Sequence, residues 1–421
     1  MTRLQCAYQL AESMDFDLCG IECSVYIEFK TRNLDYDRLN NAWKEVYKRH
    51  PALRGRIVED GYIEYVDFNG FEDIILINKN DDAKKICQEM IKRENSNMAV
   101  LLAYKEARKV KKMYFSMNII LADPLSFQII LEDLSNYYIK GKFETEINDE
   151  KINEYFDIVW KTSRQEKKKD RQYWKEKITD YGICYKIPAC FRKNYTKEYE
   201  SHKAYLDKES YASLLKCSKK YGVSLEMVLL SIFALAVKEE VKEEKIVINY
   251  PLFEREKSYE DCVGDFSKNL LAGLDLRNLT SFKSLVLKVF NQIKEYKSHL
   301  SLDGLEVMTL YNSYLLDDNY KEALVFSPSI KKDLISKDFL EQIGDIVEIS
   351  SKTPDVALDA QTYKIKDTLF FIWVVPKNWF NKGQIEKMFK KYMSLCEKYA
   401  NENQWEKGED FKAKELKGEL A

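Results

Sequence analysis

Residues 222–240 read GVSLEMVLLSIFALAVKEE, and apolar side chains occupy nearly every face of a helix drawn through them. Such a helix has no face to give to water, so it belongs in an interior. No run of 18 or more apolar residues occurs in the chain, which argues against a membrane span. The segment is predicted to be a buried central helix with Ser224 as its cap. The 421 residues suit two ordinary domains or one two-lobed body with a core large enough to enclose it.

The flanking patterns alternate strand and helix. CSVYIEFKT (23–31) has the period of a half-buried strand, and DYDRLNNAWKEVYKRH (35–50) places Leu39, Ala42, Trp43 and Val46 at helical spacing behind Asp35 as cap. A strand is predicted at 61–68, a helix at 81–94, and a strand followed by a helix in the opening stretch, giving an α/β lobe of mixed order. WKTSRQEKKKDRQYWKEK (160–177) is strongly charged, with Trp160, Tyr173 and Trp174 as its core candidates, and reads as a connector between lobes. Strands are expected at 245–253, 322–329 and 368–375, helices at 281–300 and 381–400, and a loose polar end beyond Asn401.

Lys+Arg (67) nearly cancels Asp+Glu (69), so no broad basic face for nucleic acid is expected. Nine cysteines, odd in number and without a C-x-x-C pair, read as buried or idle thiols rather than a disulfide frame or zinc site. His50, His202 and His299 are dispersed, and no metal site is predicted. The amino terminus lacks the basic region and apolar block of a secretory signal, so a cytoplasmic location is expected, with no membrane contact.

At FSMNIILADPLSFQIILEDL (115–134) an alternating strand meets an Asp-Pro corner, and a helix leaves it. Pro124 suits the first helical position and Asp123 the cap, while Phe127, Ile130, Leu131, Leu134 and Tyr138 make the buried stripe. A histidine at such a corner could act as a base in acyl transfer. Here stand Asn118 and Asp123, and the plain reading of Asp123 is a cap or a structural ion pair.

The corner resembles that of nonribosomal peptide synthetase condensation domains. Their heterocyclization (cyclization) subclass carries D-x-x-x-x-D where others carry H-H-x-x-x-D-G, and NIILAD (118–123) is similar to the first form with Asn for the first Asp. LQCAYQLAES resembles the subclass's Q-x-A-Y-W opening, RHPALRGRI (49–57) its R-H-P-x-L-R element, RQYWKEKI (171–178) its Y-W element, and VGDFSKNLL (263–271) its V-G-D-F-T element. DGLEVM (303–308), LVFSPS (324–329) and SSKTPDVALDAQ (350–361) resemble further elements in the family's order, so the likeness covers almost the whole chain.

The resemblance implies two lobes like chloramphenicol acetyltransferase, residues 1–180 and 181–421, in a V-shaped pseudo-dimer around a central tunnel. It implies joining of a carrier-bound acyl group to a carrier-bound Cys, Ser or Thr, then cyclodehydration to a thiazoline or oxazoline. Asp359 and Ser327 map onto the family's cyclodehydration residues, and Asp355, in place of the family's Gln, could tune the site. Asp123 would pair with Arg54, making Asn118, Asp123 and Arg54 a structural corner. No cofactor is expected to bind directly; the phosphopantetheine arms of donor and acceptor peptidyl or aryl carrier proteins would enter the tunnel. A monomer is expected, and the start at Met1 just before the first element favours a free-standing protein. A condensation-only acyltransferase and a noncatalytic carrier-docking module remain open as alternatives.

Overall fold

Local periodicity and side-chain caps set most elements of the computed structural model, which describes residues 1–15, 18–58, 63–68, 73–91, 98–145, 154–155, 164–181, 197–315 and 323–408. The first part runs α1 (Arg3–Ser13), β1 (Ser24–Asp35), α2 (Tyr36–Arg49), β2 (Gly55–Ile57), β3 (Ile63–Tyr65), β4 (Ile75–Leu76), α3 (Ala83–Met90), β5 (Ala99–Glu106), β6 (Lys109–Asn118) and α4 (Pro124–Lys140). After α5 (Arg164–Tyr181) come β7 (Tyr199–Tyr205), α6 (Lys208–Lys220), α7 (Leu225–Val241), β8 (Lys245–Leu252), β9 (Lys268–Asp275), α8 (Phe282–Lys297) and α9 (Gly304–Leu315). The last elements are β10 (Ala323–Asp333), α10 (Lys337–Gln342), β11 (Gly344–Lys352), β12 (Val356–Ile365), β13 (Thr368–Pro376) and α11 (Gln384–Ala400).

Asp35 caps α2 by accepting from the Arg38 N–H, and Asp123 caps α4 by accepting from the Ser126 N–H, with Pro124 at the first helical position. Helix α7 is buried from Leu225 to Val237 apart from Glu226, and its Phe233 packs 5.2 Å from Phe326 and 5.4 Å from Trp373 of the neighbouring strands. Ser224 stands at its cap position without a side-chain hydrogen bond, so burial rather than capping holds this helix. Among the described residues no single helix is long and apolar enough to cross a membrane.

Other expectations need correction. The opening stretch enters α1 directly through a Thr2–Gln5 capping box, with no strand before it. The charged segment from Arg164, read as a connector, is helical, and its core candidate Trp174 is indeed buried, with Nε1 donating to the His299 carbonyl at 3.0 Å. Beyond Asn401 the chain is still anchored, because Trp405 is buried between Tyr221 and Phe282 at 4.8 and 5.0 Å. Gly61, Tyr62, Trp160, Cys184 and Cys190 lie outside the described residues.

The strands form two main sheets, ordered β11-β1-β6-β5-β4 and β7-β13-β12-β10-β8-β9; Leu369, Phe371, Trp373 and Val375 of β13 face one core, while its alternate residues Phe370, Ile372 and Val374 join the core packed against the first sheet. Strand β11 leaves the second half of the chain to pair antiparallel with β1, and the next strand, β12, returns to run parallel to β10. The two sheets are therefore linked by chain exchange at the β11–β12 turn.

A second link is a buried ion pair between Asp123 and Arg255. Both side chains are 1% exposed; Arg255 Nη2 donates to Asp123 Oδ1, and Nε reaches Oδ2 at 3.2 Å. Arg255 also donates to the carbonyls of Tyr259 and Cys262, and its guanidinium lies 4.3 Å over the Phe266 ring. The pairing expected with Arg54 is not formed. Arg54 instead donates to the carbonyls of Tyr47 and Lys48, which end α2, and to that of Val66 at 2.9 Å. The last carbonyls of a helix have no intrahelical partner, so Arg54 serves the helix end rather than the corner.

Removing one partner of a buried pair leaves an uncompensated charge, so Asp123→Ala and Arg255→Ala should each cost about 3–5 kcal/mol in denaturant unfolding. A double-mutant cycle should give a coupling of about 1–3 kcal/mol for Asp123 with Arg255 and under about 0.5 kcal/mol for Asp123 with Arg54. Equal coupling for both arginines would refute the assignment.

Candidate active site

Parallel pairing sets Val325 opposite Asp359 and Ser327 opposite Gln361 on β10 and β12. Because side chains alternate along a strand, Ser327, Asp359 and Gln361 share one face. Ser327 Oγ donates to Asp359 Oδ1 at 3.0 Å, and Gln361 Nε2 donates to Oδ2 at 2.6 Å. Thr353, in the β11–β12 turn, approaches Oδ2 at 3.5 Å. Gln361 Nε2 also reaches Ser351 Oγ on β11 at 2.6 Å, and its Oε1 accepts from the Tyr363 hydroxyl at 3.0 Å. The network thus crosses from one sheet to the other. Burial pushes the Asp359 carboxyl above its ordinary value, while the hydrogen bonds from Gln361, Ser327 and Thr353 oppose the shift.

Asp359 and Ser327 line a cavity of about 200 Å³ whose walls come from both sheets and from α1 and α4. A cleft that includes Arg3, Lys268 and Glu306 adjoins it, sharing Leu4, Ser267, Asn269 and Leu305 with its wall. Another, lined by Lys294, Lys297, Lys331 and Lys332, shares Pro251 and Phe253. Asp355 lines the cavity too, in the left-handed region at φ +58° with its N–H bonded to the Leu18 carbonyl. Aspartate tolerates that conformation better than glutamine, so the turn itself accounts for the residue.

The corner residues are placed differently. Asn118 is fully buried; its Nδ2 donates to Glu12 Oε1 at 3.1 Å and its Oδ1 accepts from the Ile120 N–H at 2.9 Å. Glu12 Oε1 also accepts from the Cys23 N–H at 2.6 Å, so Glu12 ties α1 both to Asn118 at the end of β6 and to the residue before β1. Asp123 lies at the cavity wall, engaged by Arg255. His50 Nε2 and Arg49 Nε both meet Asp133 Oδ2, at 2.9 and 2.8 Å, which makes the R-H-P element a brace onto α4. His299 bonds Asp170 at 2.8 Å and stacks on Tyr173 at 3.6 Å.

Two cavity residues carried no assigned role in the sequence. Asn249 on β8 has a buried Oδ1 without a hydrogen-bond partner among the described residues. Asp265, inside the VGDF element, is 2% exposed; its Oδ1 accepts from the Ser267 N–H at 3.1 Å and from the Ser267 hydroxyl, and its Oδ2 has no partner among the described residues. Burial, with the nearby Asp123 charge adding to it, pushes this carboxyl up to about 7 against the hydrogen bonds from Ser267 and the Arg255 charge. Tyr8 of α1 also lines the cavity. Desolvation first, then the charges of Cys23, Asp265 and Asp359, hold its hydroxyl above the ordinary tyrosine range.

The Asn118 amide has a consequence that can be measured. Asn118→Asp would set a second carboxyl against Glu12, and the pair would hold a proton at a pH where the unfolded chain does not. A raised folded-state pKa makes stability fall as pH rises. The variant should match wild type near pH 4 and lose about 1–3 kcal/mol by pH 8 in chemical denaturation; a pH-independent difference would refute this account.

Comparison with known proteins agrees with this geometry. A family model described as "Condensation domain" matches residues 20–332. The chain is 22% identical to bacitracin synthase 1 of Bacillus licheniformis over 94% of its own length and 8% of that protein's. It is also 22% identical to the pyochelin synthetase PchE of Pseudomonas aeruginosa, over 98% of its own length and 30% of the relative's. The chain therefore spans less than a third of either relative. Among solved structures, the EpoB cyclization-docking bidomain from Sorangium cellulosum superposes with a TM-score of 0.83 at 20% identity, covering 96% of this chain and 85% of that one. The fold is the α/β pair of acetyltransferase-like lobes that the short elements suggested, and with its model matched across 20–332 the chain belongs to the condensation domain family.

Proposed function

We propose that this chain joins a carrier-bound acyl group to a carrier-bound Cys, Ser or Thr and then cyclodehydrates the product to a thiazoline or oxazoline. The observation that carries this reading is Asp359: a buried carboxyl with a raised pKa, held by Ser327 in a cavity between the two sheets. A cyclization-docking bidomain among the structural neighbours supports the ring-forming subclass over simple condensation. The adjoining clefts suit the phosphopantetheine arms of donor and acceptor carriers, and a lobe division near residue 180 belongs to the same reading.

Amide formation from a thioester relies on positioning, because the thiolate leaves readily and two tethered reactants gain effective concentration. Ring closure is harder. As the side-chain sulfur or oxygen bonds to the amide carbon, Asp359 takes its proton. It returns a proton to the former carbonyl oxygen, which departs as water, the amide N–H supplying the second proton as the C=N bond forms. A carboxyl shifted toward neutrality by burial can serve both ways. Ser327 keeps it oriented, and Gln361, Thr353 and Ser351 keep the orientation tied to both sheets.

Asp359→Ala should therefore uncouple the stages. With loaded carriers and intact-protein mass spectrometry, the folded variant should accumulate the linear product, heavier than the ring by one water, and ring closure should fall about 10²–10⁴-fold. Ser327→Ala should do the same less severely, and Asp355→Ala should be mildest. Normal ring formation by Asp359→Ala would remove the proposed role. No histidine is among the described residues that line the cavity, so His202→Ala and His299→Ala should each retain product formation; loss of activity in a folded single variant would reinstate an imidazole base.

A further inference from the structure

We propose that Asp265 takes the proton released when the acceptor amine attacks the acyl thioester, filling the place that the histidine-free corner leaves open. This rests on the function proposed above and adds a second acid-base group to the same cavity.

The argument begins with how the carboxyl is delivered. Asp123 N–H donates to the Gly264 carbonyl at 3.2 Å, and Phe266 N–H donates to Asp123 Oδ2 at 3.3 Å. Ser126 Oγ donates to the Gly264 carbonyl at 2.8 Å and accepts from the Gly264 N–H at 3.0 Å. Arg255 binds the same residues from the far side. The residues on both sides of Asp265 are thus clamped to the α4 corner, and Asp265 is held at the cavity wall.

The clamp does not need the carboxyl. Among the described residues Ser267 is the partner of its Oδ1, and an asparagine oxygen could accept those bonds equally well. Oδ2 is buried with no hydrogen-bond partner among the described residues, on a side chain that lines the cavity, and a buried polar atom of this kind calls for an explanation. The titratable and charged groups around it are Asp123 at the α4 corner, Arg255 in the loop after β8, Tyr155, Tyr8 of α1, Cys23 before β1, and Asp359, which shares the cavity. Burial raises the carboxyl to about 7, so both protonation states are populated near neutrality, as a shuttle requires.

The step balances within the thioester chemistry. The amine nitrogen bonds to the thioester carbon and its surplus proton passes to the Asp265 carboxylate. The C–S bond then breaks, and the departing thiolate takes that proton, returning Asp265 to its starting form.

The test uses single-turnover amide formation by the full chain between acetyl-loaded carrier and cysteinyl-, seryl- or threonyl-loaded carriers, across pH 5.5–8.5 (about one and a half units either side of neutrality). Wild type should show a limb rising with pH with a midpoint about 7. Asp265→Asn should lose the limb and slow amide formation about 100-fold. Ser267→Ala, which removes the hydroxyl that steadies the ionised form, should move the limb to higher pH, a change that a purely structural role or the amine's own titration would not produce. Folding is checked by melting temperature. A raised folded-state pKa costs wild type stability between pH about 4 and about 7, so Asp265→Asn should melt with wild type at low pH and above it at pH 8. Amide formation by Asp265→Asn within about twofold of wild type, or a limb unmoved in Ser267→Ala, overturns this assignment and leaves the proposed function standing. A wild type that forms no amide from any carrier pair overturns the proposed function and this step with it.

Discussion

The buried Asp123–Arg255 pair is the interaction on which the rest of the site depends. Desolvating both ions is expensive, and the cost is offset only because almost every donor and acceptor around them is used: Ser126, Gly264, Phe266, Tyr259 and Cys262 all bond to one or the other. The result is a rigid junction between the N-terminus of α4 and the 255–266 loop. Asp123 works three ways there, as helix cap, as ion-pair partner and as acceptor from the loop backbone. A family motif at a strand-to-helix corner is often read as a catalytic address. In this chain the corner carboxylate is engaged by Arg255 and by the backbone of the loop beside the cavity.

The second constraint is the exchange of β11. A strand that pairs with β1 in one sheet, followed by one that pairs with β10 in the other, places Ser351, Thr353 and Asp359 within ten residues of chain and yet across the seam. The Gln361 amide then joins Ser351 to Asp359 directly. Any change in how the sheets meet would therefore alter the hydrogen bonds that oppose the burial of Asp359. Lobe geometry and acid strength are coupled through one glutamine, at a site whose walls both lobes provide.

Much of this was legible before folding. The Asp35 and Asp123 caps, the α2 and α4 stripes and the all-round apolar α7 depend on residues within a turn or two of each other, so spacing reveals them. Asp359 and Ser327 could be located through short elements, although their contact spans 32 residues. Arg255 could not be found this way: it lies 132 residues from Asp123, and the family resemblance pointed to Arg54, whose donors are taken by the end of α2. Trp405 was missed because its neighbours in sequence are polar while its neighbours in space, Tyr221 and Phe282, lie far away along the chain. Asp265 sat in plain view inside VGDF. Its significance comes from an unpartnered oxygen and deep burial, which are tertiary properties with no local signature.

Asp265 and Asp359, lining one cavity, invite the view that they share a proton, as closely spaced acids do. Their surroundings argue instead for separate work. Asp359 receives hydrogen bonds on both oxygens, from Ser327 on one and Gln361 and Thr353 on the other, so its ionised form is supported and its geometry is tightly defined. Among the described residues Asp265 has only Ser267, on one oxygen, and its other oxygen has no hydrogen-bond partner. The raising influences on Asp359 begin with burial, and those on Asp265 with burial followed by Asp123, so neither carboxyl is chiefly perturbed by the other. On the proposed reading, the firmly held acid suits ring closure, where one atom must be deprotonated and another protonated at fixed positions. The loosely held one suits amide formation, where positioning of the tethered arms carries the rate and the protein need only receive and return a proton.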